Sequence, residues 1–182
     1  MAAEAPHADL GWLAPPFTLP ATDGETYSLA DLKGARGTVV MFICNHCPYV
    51  IAMIDRAVAD ARALAELGVT TLAICSNDAE GYPEDSFANM RAFAEAHAFP
   101  FPYLYDEPQE VARAYGAVCT PDIFGFDDKL RLQYRGRLDE GRTEPPRQGA
   151  RRELLDAMTA IAKTGKGPAQ QTPSVGCSIK WK

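Results

Sequence analysis

Residues 44 to 48 read Cys-Asn-His-Cys-Pro. Two thiols at i and i+3 can close a small disulfide, and a thiol becomes a nucleophile only as its thiolate. The flanking residues supply a place where a thiolate is favoured. Residues 38–43, Thr-Val-Val-Met-Phe-Ile, form a mainly apolar run of strand length, and Val50, Ile51, Ile54, Ala57, Val58, Ala61, Leu64 and Ala65 recur at helical spacing. Cys44 and Cys47 therefore sit where a strand hands over to a helix. The first-turn N–H groups of that helix are unpaired and its dipole is positive at that end. Such a setting lowers a thiol pKa from about 8.5 into the ~3.5–7.5 range. The chemistry expected is redox exchange at a dithiol.

Cys44, nearer the strand end, is expected to be the more exposed thiol and to attack first, with Cys47 resolving the mixed disulfide. Pro48 favours the first helical position, which makes Cys47 the cap. Both cysteines therefore remain candidates for the lower pKa. His46, as imidazolium or as a donor, would favour a neighbouring thiolate; the alternative is a solvent-facing ring of little effect. Three further cysteines bring the total to five, an odd count unlike a secreted disulfide framework. Cys75 closes a second apolar run and reads as core. Cys119, just before Thr120-Pro121, reads as a buried small hydrophobe or an auxiliary thiol. Cys177, in a tail expected to be mobile, reads either as an extra resolving thiol or as packed there. No metal site is expected. A structural zinc takes four ligands in paired groups, and His7 and His97 have no partners at ligand spacing. A transient copper site between Cys44 and Cys47 is the alternative.

The elements that must position these groups follow from periodicity and punctuation. Residues 17–19 and 27–29 flank a turn at Thr22-Asp23-Gly24, and Ser28 caps a short turn. After the strand at 38–43 come a helix over about 47–67, ended by Gly68, and a strand at 69–75, a β-α-β unit with parallel strands. A helix from Phe87 to His97, a return at 103–105 and a short helix stopped by Gly116 follow. Strands at 123–126 and 130–135 are joined by a tight turn at Asp127-Asp128-Lys129, and a last helix spans 151–163. Residues 1–15 read as weakly ordered, 16–163 as one α/β domain and 164–182 as a tail, with Trp12 and Trp181 as candidate anchors of the two ends. A net charge of −6 argues against a nucleic-acid surface. There is neither a run long enough to span a bilayer nor a secretory leader, so no membrane partner and a cytoplasmic location are expected.

Taken together, Pro16-Phe17-Thr18-Leu19 with Asp23-Gly24, the strand-to-helix Cys-x-x-Cys, Ser76-Asn77-Asp78 and Thr120-Pro121 resemble the thioredoxin superfamily. Cys44-Asn-His-Cys-Pro-Tyr-Val50 and the tail Ser174-Val-Gly-Cys-Ser-Ile-Lys-Trp181 are similar to peroxiredoxin-like redoxins of the AhpC/TSA type. The resemblance implies a thioredoxin-like fold: a central mixed β-sheet flanked by helices, with an N-terminal β-hairpin and a helical insertion. It also implies a cis proline at Pro121 facing the dithiol, beside a backbone edge open to an incoming peptide. The activity implied is thiol–disulfide exchange through Cys44 and Cys47, with His46, Pro48, Thr120 and Pro121 in support. It needs no bound cofactor; its partners are a protein or small-molecule disulfide and a thiol reductant system. Peroxide reduction is the alternative. The chain departs from the peroxidatic pattern there, because counting back from Cys47 puts Cys44 where a hydroxyl residue is expected and Val40 where a proline is expected. A copper- or partner-binding module on the same scaffold is the third reading.

Overall fold

The computed structural model describes residues 2–7 and 9–182. In chain order its elements are β1 (Ala2–Glu4), β2 (Thr18–Pro20), β3 (Thr26–Ser28), α1 (Leu29–Leu32), β4 (Gly37–Phe42), α2 (Pro48–Ala65) and β5 (Val69–Cys75). A 3₁₀ turn (Pro83–Asp85), α3 (Phe87–Ala96), β6 (Tyr103–Tyr105), α4 (Glu110–Tyr115), β7 (Cys119–Thr120), β8 (Asp122–Phe126), β9 (Leu132–Arg135), α5 (Glu153–Thr164) and β10 (Val175–Ser178) complete it.

The central sheet has the order β6-β5-β4-β8-β9. β4, β5 and β6 run parallel, whereas β8 and β9 join antiparallel, so the sheet is mixed as expected. Alternation along a strand explains its two cores. Val39, Met41 and Ile43 face one cluster, built with α2 and α5. Val40 and Phe42 face the other, with Phe17, Leu19 and Tyr115. β4 is buried along its whole length, as a strand covered on both faces must be. The hairpin β2–β3 forms, and Ser28 and Asp31 close a capping box at α1. Trp12 anchors the N-terminal segment edge-on against Tyr115, Phe124 and Phe126.

Three placements differ from the expectation. The tight turn after β8 forms, with the Leu130 N–H donating to the Asp127 carbonyl at 3.0 Å, but β9 begins two residues later than expected. Asp127 accepts from the N–H groups of Lys129 and Arg131, Leu130 turns left-handed at φ +59°, and β9 starts only at Leu132. The segment expected to be weakly ordered contains β1; Met1 and Ala8 lie outside the described residues. The tail expected to be mobile is a strand, β10, lying between β1 and β7 in a second sheet. Its end is pinned as well. Lys180 N–H donates to Asn77 Oδ1, and Gln109 Nε2 donates to the Lys180 carbonyl. The Arg113 guanidinium lies 4.2 Å over the Trp181 ring, so the tryptophan does anchor this end.

Beneath the β7–β8 junction lies a buried ion pair. Arg135 donates through Nε and Nη2 to the two oxygens of Asp122, at 3.2 and 2.8 Å, and its guanidinium covers the Phe124 ring. Burial pushes the Asp122 carboxyl up, and Arg135 holds it down. Arg135→Leu leaves that carboxyl buried without its cation and is expected to cost ~3–5 kcal/mol. Chemical denaturation monitored by tryptophan fluorescence measures the loss.

Candidate active site

The site is assembled from three loops at one end of the sheet. Cys44 follows β4, Cys47 is the N-cap of α2 and Pro48 is its first residue, where a missing N–H costs nothing. Opposite them, Thr120 ends β7, and the Thr120–Pro121 peptide is cis. Thr120 contacts both sulfurs. Its Oγ1 is 3.3 Å from Cys44 Sγ, and its carbonyl accepts from the Cys47 thiol at 3.0 Å. The expectation that Cys44 is the more exposed thiol is corrected, since Cys44 and Cys47 are both 0% exposed. In addition, β10 pairs with the β7 edge on which an open approach was expected.

Asn45 and His46 are held from the loop after β5. Asp85, fully buried, accepts from the Asn45 N–H and the Asn77 side-chain amide, both at 2.8 Å. Asn45 also donates to the Glu84 carbonyl and accepts from the Tyr103 hydroxyl. The His46 ring stacks parallel on Tyr82, and its Nδ1 lies 2.8 Å from Asp85 without hydrogen-bond alignment. The sequence reading missed Asp85 altogether. An acidic residue 40 positions from Asn45 in a polar loop carries no spacing signal, and only the fold brings it beneath the cysteine loop.

The two thiols are pushed apart in pKa. Cys47 is driven down, first by the Cys44 thiol as hydrogen-bond donor and then by Cys177, through both its thiol and its backbone N–H. The Val50 N–H in the first turn adds to this, although no capping hydrogen bond to Sγ closes. Burial opposes the shift, and so does the bond to the Thr120 carbonyl, which only a thiol can make. Cys44 is driven up by sharing its proton with Cys47, by burial and by the Asp85 charge. The first proton of the pair therefore leaves from Cys47. A thiolate at that position stabilises the reduced form and makes the disulfide the more oxidising.

The remaining cysteines divide cleanly. Cys75 is buried and pushed up to about 12. Cys119 is buried, donates to the Pro121 carbonyl and is also pushed up by burial. Cys177 stands in register with Thr120 and packs against the cluster that contains Cys47. A cleft of about 140 Å³ opens beside Pro121, lined in part by Tyr49, Arg137, Arg142 and Val175; no cysteine lines it among the described residues. One potential metal cluster occurs among those residues: Cys44, His46 and Asp85, with ligand atoms within 4.8 Å of one another. Both Asp85 oxygens already accept hydrogen bonds, so the cluster is accounted for as scaffolding of the loop.

A family model described as AhpC/TSA matches residues 10–135, which takes in the dithiol, the Thr120–Pro121 loop and all five strands of the central sheet. The chain belongs to the AhpC/TSA family. The fold agrees. A structure of an uncharacterized conserved protein from Geobacillus kaustophilus is similar over 100% of this chain and 97% of its own, at 48% identity and TM-score 0.92. The thioredoxin domain of a thiol-disulfide oxidoreductase from Bacteroides vulgatus is similar over 75% of this chain and 91% of its own, at 19% identity and TM-score 0.61, and shows the thioredoxin-like fold alone. A provisionally named peroxiredoxin of Mycobacterium tuberculosis is 32% identical over 112 residues. That match spans 62% of this chain and 66% of the relative, a little under two thirds of it. The protein is thus a thioredoxin-like redoxin of the AhpC/TSA family. No helix among the described residues is long and apolar enough to cross a membrane.

The ordering of the two thiols is directly measurable. Ultraviolet thiolate absorbance of the reduced protein should rise with a midpoint near pH 5, a step lost in Cys47→Ser. Cys44→Ala should move the remaining step upward, since it removes the hydrogen-bond donor that does most to lower Cys47. Because the folded pKa is lowered, the thiolate stabilises the reduced fold fully above the ordinary thiol value of 9.0. That contribution fades as pH falls toward 5.

Proposed function

We propose that this redoxin is a thiol–disulfide oxidoreductase working through a Cys44/Cys47 couple. The observation that carries the reading is the placement of both sulfurs on Thr120, with the first ionisation at Cys47. The order of attack inferred here reverses the one drawn from the sequence. With β10 lifted from the β7 edge, the Cys47 thiolate attacks one sulfur of a substrate disulfide, the S–S bond breaks, and the other sulfur leaves with the electron pair. Cys44 then loses its proton and attacks Cys47 Sγ in the mixed disulfide. The second substrate thiolate leaves, and a Cys44–Cys47 disulfide remains. Thr120 serves both steps. Its hydroxyl supports negative charge on Cys44 during the second attack, and Asp85 keeps the loop between the cysteines in place. No bound cofactor enters this scheme, and electrons return from an external thiol system.

Peroxide reduction is the second reading, favoured by the family and by a lowered thiol pKa at the Cys-Pro step. In that case the Cys47 thiolate would attack one oxygen of a hydroperoxide and the O–O bond would break. The alcohol or water would leave with a proton, and a sulfenic acid would remain on Cys47. Attack by Cys44 would then expel water and give the same disulfide. Cys44 occupies the place where a hydroxyl residue would polarise the peroxide, which argues for slow turnover by this route.

Insulin reduction driven by dithiothreitol separates the two readings. Cys47→Ser should abolish it. Cys44→Ser, with the neighbouring Cys177 also replaced by serine, should trap a mixed disulfide at Cys47, visible by mass spectrometry of the unreduced protein. Thr120→Val, which keeps the shape and removes the hydroxyl, should slow release of that mixed disulfide by roughly 10-fold, the equivalent of about 1.4 kcal/mol. Peroxide consumption in a coupled assay that exceeds insulin reduction would instead favour the second reading.

A further inference from the structure

The dithiol described above has no surface of its own. Both sulfurs are 0% exposed, and no cysteine lines the cleft beside Pro121. Beside them β10 lies antiparallel to β7, with Cys177 opposite Thr120 and its thiol and N–H directed at Cys47. The approach is as close as backbones allow. A Cβ on Gly176 would stand 2.0 Å from the Thr120 carbonyl oxygen and 2.9 Å from Pro121 N. That carbonyl oxygen is the atom to which the Cys47 thiol donates. Gly176 thus lets the strand settle directly on the Thr120–Pro121 peptide and brings the next residue, Cys177, against Cys47. Unlike the other four cysteines, Cys177 is only partly buried.

We infer that Cys177 is a third redox thiol, a relay that carries the disulfide from the buried Cys44/Cys47 pair to the surface. The proposal rests on the exchange reading above and extends it to the reductive half of the cycle. In the oxidised protein, Cys177 gives up its proton and attacks Cys47 Sγ. The Cys44–Cys47 bond breaks, Cys44 leaves with the electron pair and takes up a proton, and a Cys47–Cys177 disulfide forms with no net change in redox state. An external thiolate, from a low-molecular-weight thiol or a dithiol protein, then attacks the accessible Cys177 sulfur. Cys47 leaves as the thiolate its surroundings favour. A second reductant thiol attacks the mixed disulfide on Cys177, so one protein disulfide and two reductant thiols become a protein dithiol and one reductant disulfide.

The resting thiol of Cys177 fits a group that acts only when called upon. Burial raises its pKa to about 11, and the neighbouring Cys47 sulfur adds to the rise. Once Cys47 is tied up in a disulfide, the Cys47 contribution is gone, while Lys180 still lowers the value. The device is therefore tuned to the oxidised state.

Two measurements on the full chain test the relay. Cys44→Ser, oxidised with diamide and digested without reduction, should yield a peptide joining Cys47 to Cys177. Wild-type and Cys177→Ser proteins, both first oxidised to the Cys44–Cys47 form, are then reduced with glutathione and followed by quenched-flow alkylation. The Cys177→Ser protein should be reduced at least ~10-fold more slowly, since the reductant must wait for the strand to open. Equal rates, or oxidised Cys44→Ser without the Cys47–Cys177 bridge, overturn the proposal; equal rates would mean that β10 simply lifts away. Cys177 is partly exposed and serine is nearly isosteric, so the second measurement stands even if Cys44→Ser folds poorly. Failure of the underlying exchange reading looks different, because wild-type protein would then leave insulin unreduced, whatever its rate of reduction by glutathione.

Discussion

A single residue, Thr120, ties the active site together. Its hydroxyl meets Cys44 and its carbonyl meets Cys47, so two thiols on consecutive turns of chain are referred to one fixed point on the opposite loop. Everything around it serves to keep that point fixed. Arg135 and Asp122 brace the loop from the sheet side, β10 closes it from outside, and Asp85 holds the cysteine loop from below. Moving Thr120 by a fraction of an ångström would alter both sulfurs together, because a buried thiol has no water to make up for a lost partner.

The electrostatic asymmetry follows from the same geometry. Cys47 is ringed by donors: the Cys44 thiol, the Cys177 thiol and N–H, and the first turn of α2. Cys44 faces a carboxylate in the interior, where charge is weakly screened. The thiolate and its future partner are thus told apart by neighbours drawn from opposite ends of the chain, and the Cys-x-x-Cys spacing alone does not decide between them.

That division explains how much the amino-acid sequence disclosed. The mixed sheet was legible because β4 and β5 are continuous apolar runs and α2 is strongly periodic, signals that depend only on neighbours. The dithiol and the capping position of Cys47 were legible for the same reason, whereas the placement of Thr120-Pro121 opposite them came from the family resemblance. Asp85, the Asp122–Arg135 pair and the exposure of the thiols were not. Each depends on contacts between separate segments, from Arg135 and Asp122 at 13 positions apart to Cys177 and Cys47 at 130. The tail misled most, since its Gly- and Pro-containing composition looks like a linker. Gly176 is there for close contact with Thr120, and composition does not distinguish a glycine of that kind from one that gives freedom.

The pairing of β1 with β10 has a kinetic consequence. Ala2 lies opposite Cys177, so this ladder closes a loop spanning almost the whole described chain. The entropy of such a closure grows only logarithmically with length, but it must be spent before the contacts it brings can repay it. During folding the central sheet and α2, whose contacts are nearer in sequence, are therefore set first. The sulfurs are arrayed in open water before the outer ladder seals them, which leaves a nascent molecule a period of unguarded reactivity that the finished one lacks.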